Sequence, residues 1–128
     1  MPALTPLARA RGLGAAHDGL GHWKAQRLSA IANAGLVLWF VFSVTALAGA
    51  GAGYGEVRAW LASPLAATLM ILLIISVFYH APLGLQVIVE DYVHHPGMRI
   101  AALILIRLVF AALAVACIVA VLMIALGS

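Results

Sequence analysis

Charge is what this sequence has least of. Of its 128 residues seven are Lys or Arg and four are Asp or Glu, 9% of the chain, against 66% hydrophobic residues. Soluble domains carry about 25% charged residues, and a mean hydropathy of +1.14 excludes a chain that wraps a wettable surface around its own core. The basic residues are too thinly spread to form a phosphate-binding stripe, so a net charge of +3 does not point to nucleic acid. A single cysteine, Cys117, excludes an internal disulfide and any metal or cluster site built on paired cysteines; inside an apolar run it reads as span packing. Internal repeats, low-complexity tracts and linkers are missing. The stretch "GLGAAHDG", residues 12 to 19, has neither the preceding strand nor the third glycine that a dinucleotide loop requires. Ahead of residue 28 there is no apolar run of about 7 to 15 residues before a small-residue cleavage site, so a cleaved secretory signal is not expected. Asp18 and the early onset of the first apolar run speak against a mitochondrial transit peptide.

Three long apolar runs are present instead. From Leu28 to Gly49 no charged residue occurs, enough for one membrane span, which takes about 20 residues. Glycines at 49, 51, 53 and 55 then break the run, with Tyr54 and Trp60 suited to headgroup depth and Glu56 and Arg58 to water. The second run, 64 to 89, starts at Pro64, is long enough to tilt, and contains a kink site at Pro82. The third, 98 to 126, follows the breakers Pro96 and Gly97 and holds one charge besides Arg99 at its start, Arg107. The expected fold class is an all-α integral membrane protein, one domain with three transmembrane helices at 28–49, 64–89 and 98–126. Arg9, Arg11, Lys24 and Arg27 precede the first span, Arg58 stands alone in the 50–63 loop, Arg99 follows the second span, and the tail has none. The bias of Lys and Arg toward the cytoplasm puts segment 1–27 and loop 90–97 in the cytoplasm, and loop 50–63 and the C-terminus in the periplasm. A bacterial inner membrane is the expected location.

The chemistry concentrates in "HAPLGLQVIVEDYVHHPGMR", residues 80 to 99. His80 lies roughly nine residues, ~13 Å at 1.5 Å per residue, inside the cytoplasmic end of the second span. An imidazole at that depth is a functional candidate by default, or else a polar group bonded to a neighbouring helix. Offsets of 4, 7 and 11 return to one helical face, so His80, Gly84, Val87 and Asp91 form a stripe. Gly84 either allows two helices to approach closely or leaves a flat space beside the imidazole, of the kind a planar macrocycle occupies when an iron is ligated. Glu90 and Asp91 sit where the helix dipole disfavours carboxylates, and with Tyr92 they make a polar group at the membrane boundary. Tyr92 can donate to a carbonyl and Asp91 can begin a route for protons. His94 and His95 read as interfacial loop residues.

These residues resemble a family. His80, Gly84, Asp91, Tyr92 and Arg99 keep the spacing of the hydrophobic membrane anchor of succinate dehydrogenase, and "HWKAQRLSAIAN", residues 22 to 33, is similar to that anchor's entry into its first span. The resemblance implies half of a heterodimeric anchor bundle that is not catalytic on its own. His80 would be an axial ligand of a haem b shared with the cytochrome b subunit. Gly84, Arg27 and His22 would line the haem pocket or meet its propionates. Tyr92 and Asp91 would form part of the site where ubiquinone is reduced with electrons from the iron–sulfur subunit, succinate being oxidised on the flavoprotein subunit. The partners implied are those three subunits and the bilayer. Arg107 departs from the pattern; it could snorkel, pair with a propionate or bind lipid. Two other readings fit the residues: another haem-b subunit, such as a fumarate reductase-type anchor, which need not carry the Asp-Tyr pair, or a small haem-free transporter or assembly protein using His80 and Arg107 as a buried polar pair.

Overall fold

A computed structural model describes the backbone of residues 16–127 and the side chains from residue 20 onward. Arg9, Arg11 and the glycines at 12 and 14 lie outside the described residues. Within them the chain forms four helices, α1 (Ala16–Gly49), α2 (Tyr54–Ala62), α3 (Pro64–Tyr92) and α4 (Pro96–Ala125). Three stretches are long and apolar enough to cross a membrane: Leu20–Gly49, Pro64–Tyr92 and Pro96–Ala125.

Local chemistry sets the boundaries. α1 begins ahead of the apolar run, because "HWKAQR" holds good helix formers and no proline. It ends where Gly51 takes φ +68°. There the Gly51 N–H donates to the Ala48 carbonyl and the Ala52 N–H to the Leu47 carbonyl, both at 3.0 Å, satisfying carbonyls the helix leaves open. The connection expected as a loop at 50–63 contains α2. Its start is tied by Glu56, whose Oε2 accepts from the Gly53 N–H at 2.9 Å, with the carboxylate at the favourable end of the helix dipole. Ser63 both ends α2 and begins α3: its N–H donates to the Trp60 carbonyl at 3.1 Å, and its Oγ accepts from the Ala66 N–H at 3.4 Å. Pro64 follows at the first position, where its missing N–H costs nothing. α3 runs through Pro82 without a break and carries Glu90, Asp91 and Tyr92 in its last turn. His94, His95 and Pro96 turn the chain into α4.

α3 is the central element, packed on α1 on one side and α4 on the other, with α2 resting against α3 and α4. α1 and α3 are antiparallel, since Ser29 meets His80 while farther along α1 Trp39 stacks on Trp60, just before α3, at 5.9 Å. Phe78 meets Phe110 edge-on at 5.9 Å across the α3–α4 seam. Among the described residues the buried apolar ones are Ala66, Ala67, Leu73 and Val121. Such a core is too small to hold a fold in water, and side chains such as Leu28, Phe42 and Leu108 stand open along the spans. Lipid and other helices have to cover them, and packing and interhelical hydrogen bonds carry the cohesion.

Candidate functional site

Where α1 and α3 cross, the chain gathers its polar groups. On α3, His80 is half-buried, and its Nδ1 lies 2.8 Å from the Ser29 Oγ of α1. Ser29 is 8% exposed, the one buried polar residue among those described, and its Oγ lies 3.0 Å from the Gln26 carbonyl one turn earlier. Trp23, Gln26, Arg27, Ala30 and His80 line a groove of about 310 Å³ here. The Arg27 guanidinium stands 4.6 Å from the centre of the Trp23 ring, stacked as a cation on an aromatic face. Among the described residues two further polar atoms are buried without a hydrogen-bond partner: Nε2 of His22 and Oδ1 of Asn33. A buried unpaired polar atom costs about 1–3 kcal/mol, and both lie on the α1 face that carries Ser29.

The expected site residues fall into two places. His80 and Arg27 line one groove, and His22 lies one turn of α1 before Gln26. A Cβ built on Gly84 would find nothing within 4 Å. Close approach of two helices within this chain therefore does not explain the glycine. Asp91 and Tyr92 share the helix but not the groove. Asp91 is eleven residues beyond His80, roughly 16 Å along the axis at 1.5 Å per residue, and Tyr92 is 79% exposed at the end of α3. His94 and His95 lie just beyond it, outside the groove. Among the described residues no three His, Cys, Asp or Glu side chains converge as a metal site would require.

Arg107 belongs elsewhere. It donates to Gln86 Oε1 at 3.1 Å, and Gln86 Nε2 in turn donates to Glu90 Oε1 at 2.7 Å, a relay joining α4 to α3. It also lines a larger groove of about 450 Å³ whose other walls, among them Phe78, Pro82 and Phe110, are apolar. His80 and Arg107 thus have different partners and line different grooves. That removes the buried polar pair on which a haem-free transporter reading rested.

Sequence reasoning overlooked Ser29, Gln26 and Asn33. Their signal was available: His22, Gln26, Ser29 and Asn33 are spaced 4, 3 and 4 apart, one polar face along α1. Single small polar residues in an apolar run are easily taken for tolerated substitutions, and only the partner helix gives the face a direction.

Comparison with known proteins decides the family. A family model described as "Succinate dehydrogenase/Fumarate reductase transmembrane subunit" matches residues 1–126. The chain belongs to that family. It is 31% identical over 115 residues to the succinate dehydrogenase hydrophobic membrane anchor subunit of Rickettsia bellii (strain RML369-C), covering 90% of both chains. The protein of the same description from Paracoccus denitrificans is 32% identical over 104 residues, 81% of this chain and 78% of the relative. That from Rickettsia conorii (strain ATCC VR-613 / Malish 7) is 27% identical over 103 residues, 80% of each. Anchor subunits of this family are membrane proteins, in agreement with the three membrane-length helices. The all-helical architecture and the family expected from residues 80–99 are both borne out.

Proposed function

We propose that the chain is the anchor subunit of a succinate:quinone oxidoreductase in a bacterial inner membrane, holding one haem b jointly with a cytochrome b subunit and forming part of the ubiquinone-reduction site. The observation that carries this reading is the half-buried His80, fixed by Ser29 through Nδ1 at a groove it shares with Arg27. A bare metal ion would find a single imidazole there. An iron whose equatorial ligands come from a macrocycle asks the protein only for axial ligands, and one histidine from this chain suits it. When bound, the haem supplies a one-electron redox centre within the bilayer.

The residues of this chain have separate tasks around that centre. His80 offers a ring nitrogen. Gly84 keeps the adjoining space empty, while Arg27 and His22 bring N–H groups that suit carboxylate substituents at the cytoplasmic boundary. At the end of α3, the Tyr92 O–H is free to donate to a quinone carbonyl, and Asp91, exposed beside it, can pass protons inward from water. Reducing a quinone to a quinol takes two electrons and two protons. Oxidation of succinate to fumarate on the flavoprotein subunit yields the electrons, the iron–sulfur subunit passes them on, and water past Asp91 supplies the protons. The chain itself carries out no succinate chemistry; it positions the acceptor. The N-terminus and the 90–97 segment face the cytoplasm in this reading, and the C-terminus faces the periplasm.

The test uses a complex purified through a tag on this chain. The reading expects flavoprotein, iron–sulfur and cytochrome b subunits to co-purify, with succinate oxidation coupled both to ubiquinone and to an artificial acceptor. Tyr92→Phe is expected to slow the ubiquinone reaction about tenfold, a hydrogen bond's worth, and to leave the artificial reaction unchanged. Equal losses in the two assays, or a chain that purifies alone, would overturn the reading. A complex that oxidises quinol with fumarate far faster than it oxidises succinate would move it to the fumarate reductase side of the same family.

A further inference from the structure

Two short contacts meet at one hydroxyl. Ser29 Oγ lies 3.0 Å from the Gln26 carbonyl oxygen and 2.8 Å from His80 Nδ1. A carbonyl oxygen only accepts, and a serine hydroxyl has one proton. Were that proton directed at His80, the Ser29 and Gln26 oxygens would face each other at hydrogen-bond distance with no hydrogen between them. Directed at Gln26, it is accepted by that carbonyl beside the helix's own N–H and leaves the Oγ lone pairs for His80, whose Nδ1 must then carry a hydrogen and donate it. Only this arrangement satisfies both contacts. A neutral imidazole holds one N–H, so Nε2 is left as the nitrogen with a lone pair. Water does not compete for the hydroxyl, because Ser29 is 8% exposed.

We propose that Ser29 is the positioning residue for His80: its hydroxyl holds the imidazole in the Nδ1–H tautomer and presents Nε2 as the ligating atom. The contact joins residues 51 apart in sequence, so the ring is oriented by a second helix and not by α3 alone. An acceptor on the far nitrogen fixes the tautomer of a ligating histidine, orients its ring and raises its basicity, and loss of such a partner typically costs about 10–100-fold in metal affinity. A serine is a neutral acceptor, which places this site at the lower end of that range. The tautomer follows from the chain alone; what Nε2 binds rests on the haem reading given above.

The experiment separates the two. In the full chain, labelled with 15N at histidine and placed in lipid bilayers, ring nitrogen shifts distinguish a protonated from an unprotonated nitrogen, and His80→Ala identifies the His80 signals. The wild type and Ser29→Thr, which keeps the hydroxyl, are expected to show protonated Nδ1 and bare Nε2. Ser29→Ala is expected to show a mixture of tautomers. A wild-type ring protonated on Nε2, or a Ser29→Ala ring identical to wild type, would overturn the proposal, and the wild-type result decides it even where the alanine variant does not fold. In the assembled complex, Ser29→Ala is expected to release haem about tenfold more readily with a displaced b-type absorption band, and Ser29→Thr to restore both. An Nδ1–H ring in a complex without haem would uphold the tautomer and defeat the haem reading. A haem that depends on His80 while Ser29→Ala changes neither spectrum nor retention would do the reverse.

Discussion

The two flanks of α3 meet their polar groups in opposite ways. On the α4 side, Arg107, Gln86 and Glu90 satisfy one another in a relay, and Phe78 and Phe110 close the seam beside it. On the α1 side, among the described residues, His22 and Asn33 bury polar atoms with no partner, Arg27 rests on Trp23, and no side chain of this chain reaches Gly84. One flank completes its hydrogen bonds within the chain, beside the larger, mostly apolar groove. The other, among the described residues, leaves polar atoms unbonded. In a membrane, where an unsatisfied polar group has no water to turn to, an incomplete flank is a strong sign of a partner or cofactor, and a complete one is a sign of packing.

The difference can be attacked from both sides. The largest effect is expected from filling the space beside His80. Gly84→Leu should leave the helix as stable or more so, by up to about 1 kcal/mol, because glycine is a poor helix former, yet cut the haem content of the purified complex at least about tenfold. Unchanged haem content, measured against protein, would mean that the space at Gly84 is not used. At the far end of the same helix, Asp91→Asn keeps the shape and removes the acid. Ubiquinone reduction should slow about tenfold or more, somewhat below what a proton-transfer group typically contributes, while transfer to an artificial acceptor stays as it was; parallel rates would show that Asp91 has no part in the proton route. Arg27→Gln should weaken haem retention several-fold, in line with about 1 kcal/mol for one exposed charged contact. Spectra taken through a dilution series would follow it, and identical retention would remove Arg27 from the pocket. The smallest effect is expected from the complete flank. Gln86→Leu breaks the relay to Arg107 and should cost about 1 kcal/mol in thermal stability of the complex, with haem spectrum and quinone activity unchanged. A haem effect as large as that of Gly84→Leu would erase the distinction between the flanks.

Much of this could be read from the sequence, for a physical reason. Long uncharged runs identify spans directly, because the bilayer's thickness fixes how many apolar residues are needed. Hydropathy measures contact with lipid, however, and not helicity. The extension of α1 ahead of Leu28 and the short helix α2 were invisible to it; α2 announced itself only through Gly53 and Glu56, a cap pattern hidden among helix-breaking glycines. For the site, the stripe from His80 to Asp91 was legible because helical spacing is fixed. Ser29 was not, because its role depends on which α1 face meets α3, and that is set by packing between segments 51 residues apart. The partner of Arg107 was not legible for the same reason. Gln86 is a lone polar residue near the end of a span, and only the approach of α4 makes it an acceptor.

The haem assignment rests on His80, and a reduced-minus-oxidised spectrum of the complex purified with His80→Ala, set beside the same spectrum with Gln86→Leu, addresses it. The two flanks predict a b-type spectrum lost in His80→Ala and kept in Gln86→Leu. A b-type spectrum that survives His80→Ala unchanged would contradict the assignment of this imidazole as an axial ligand.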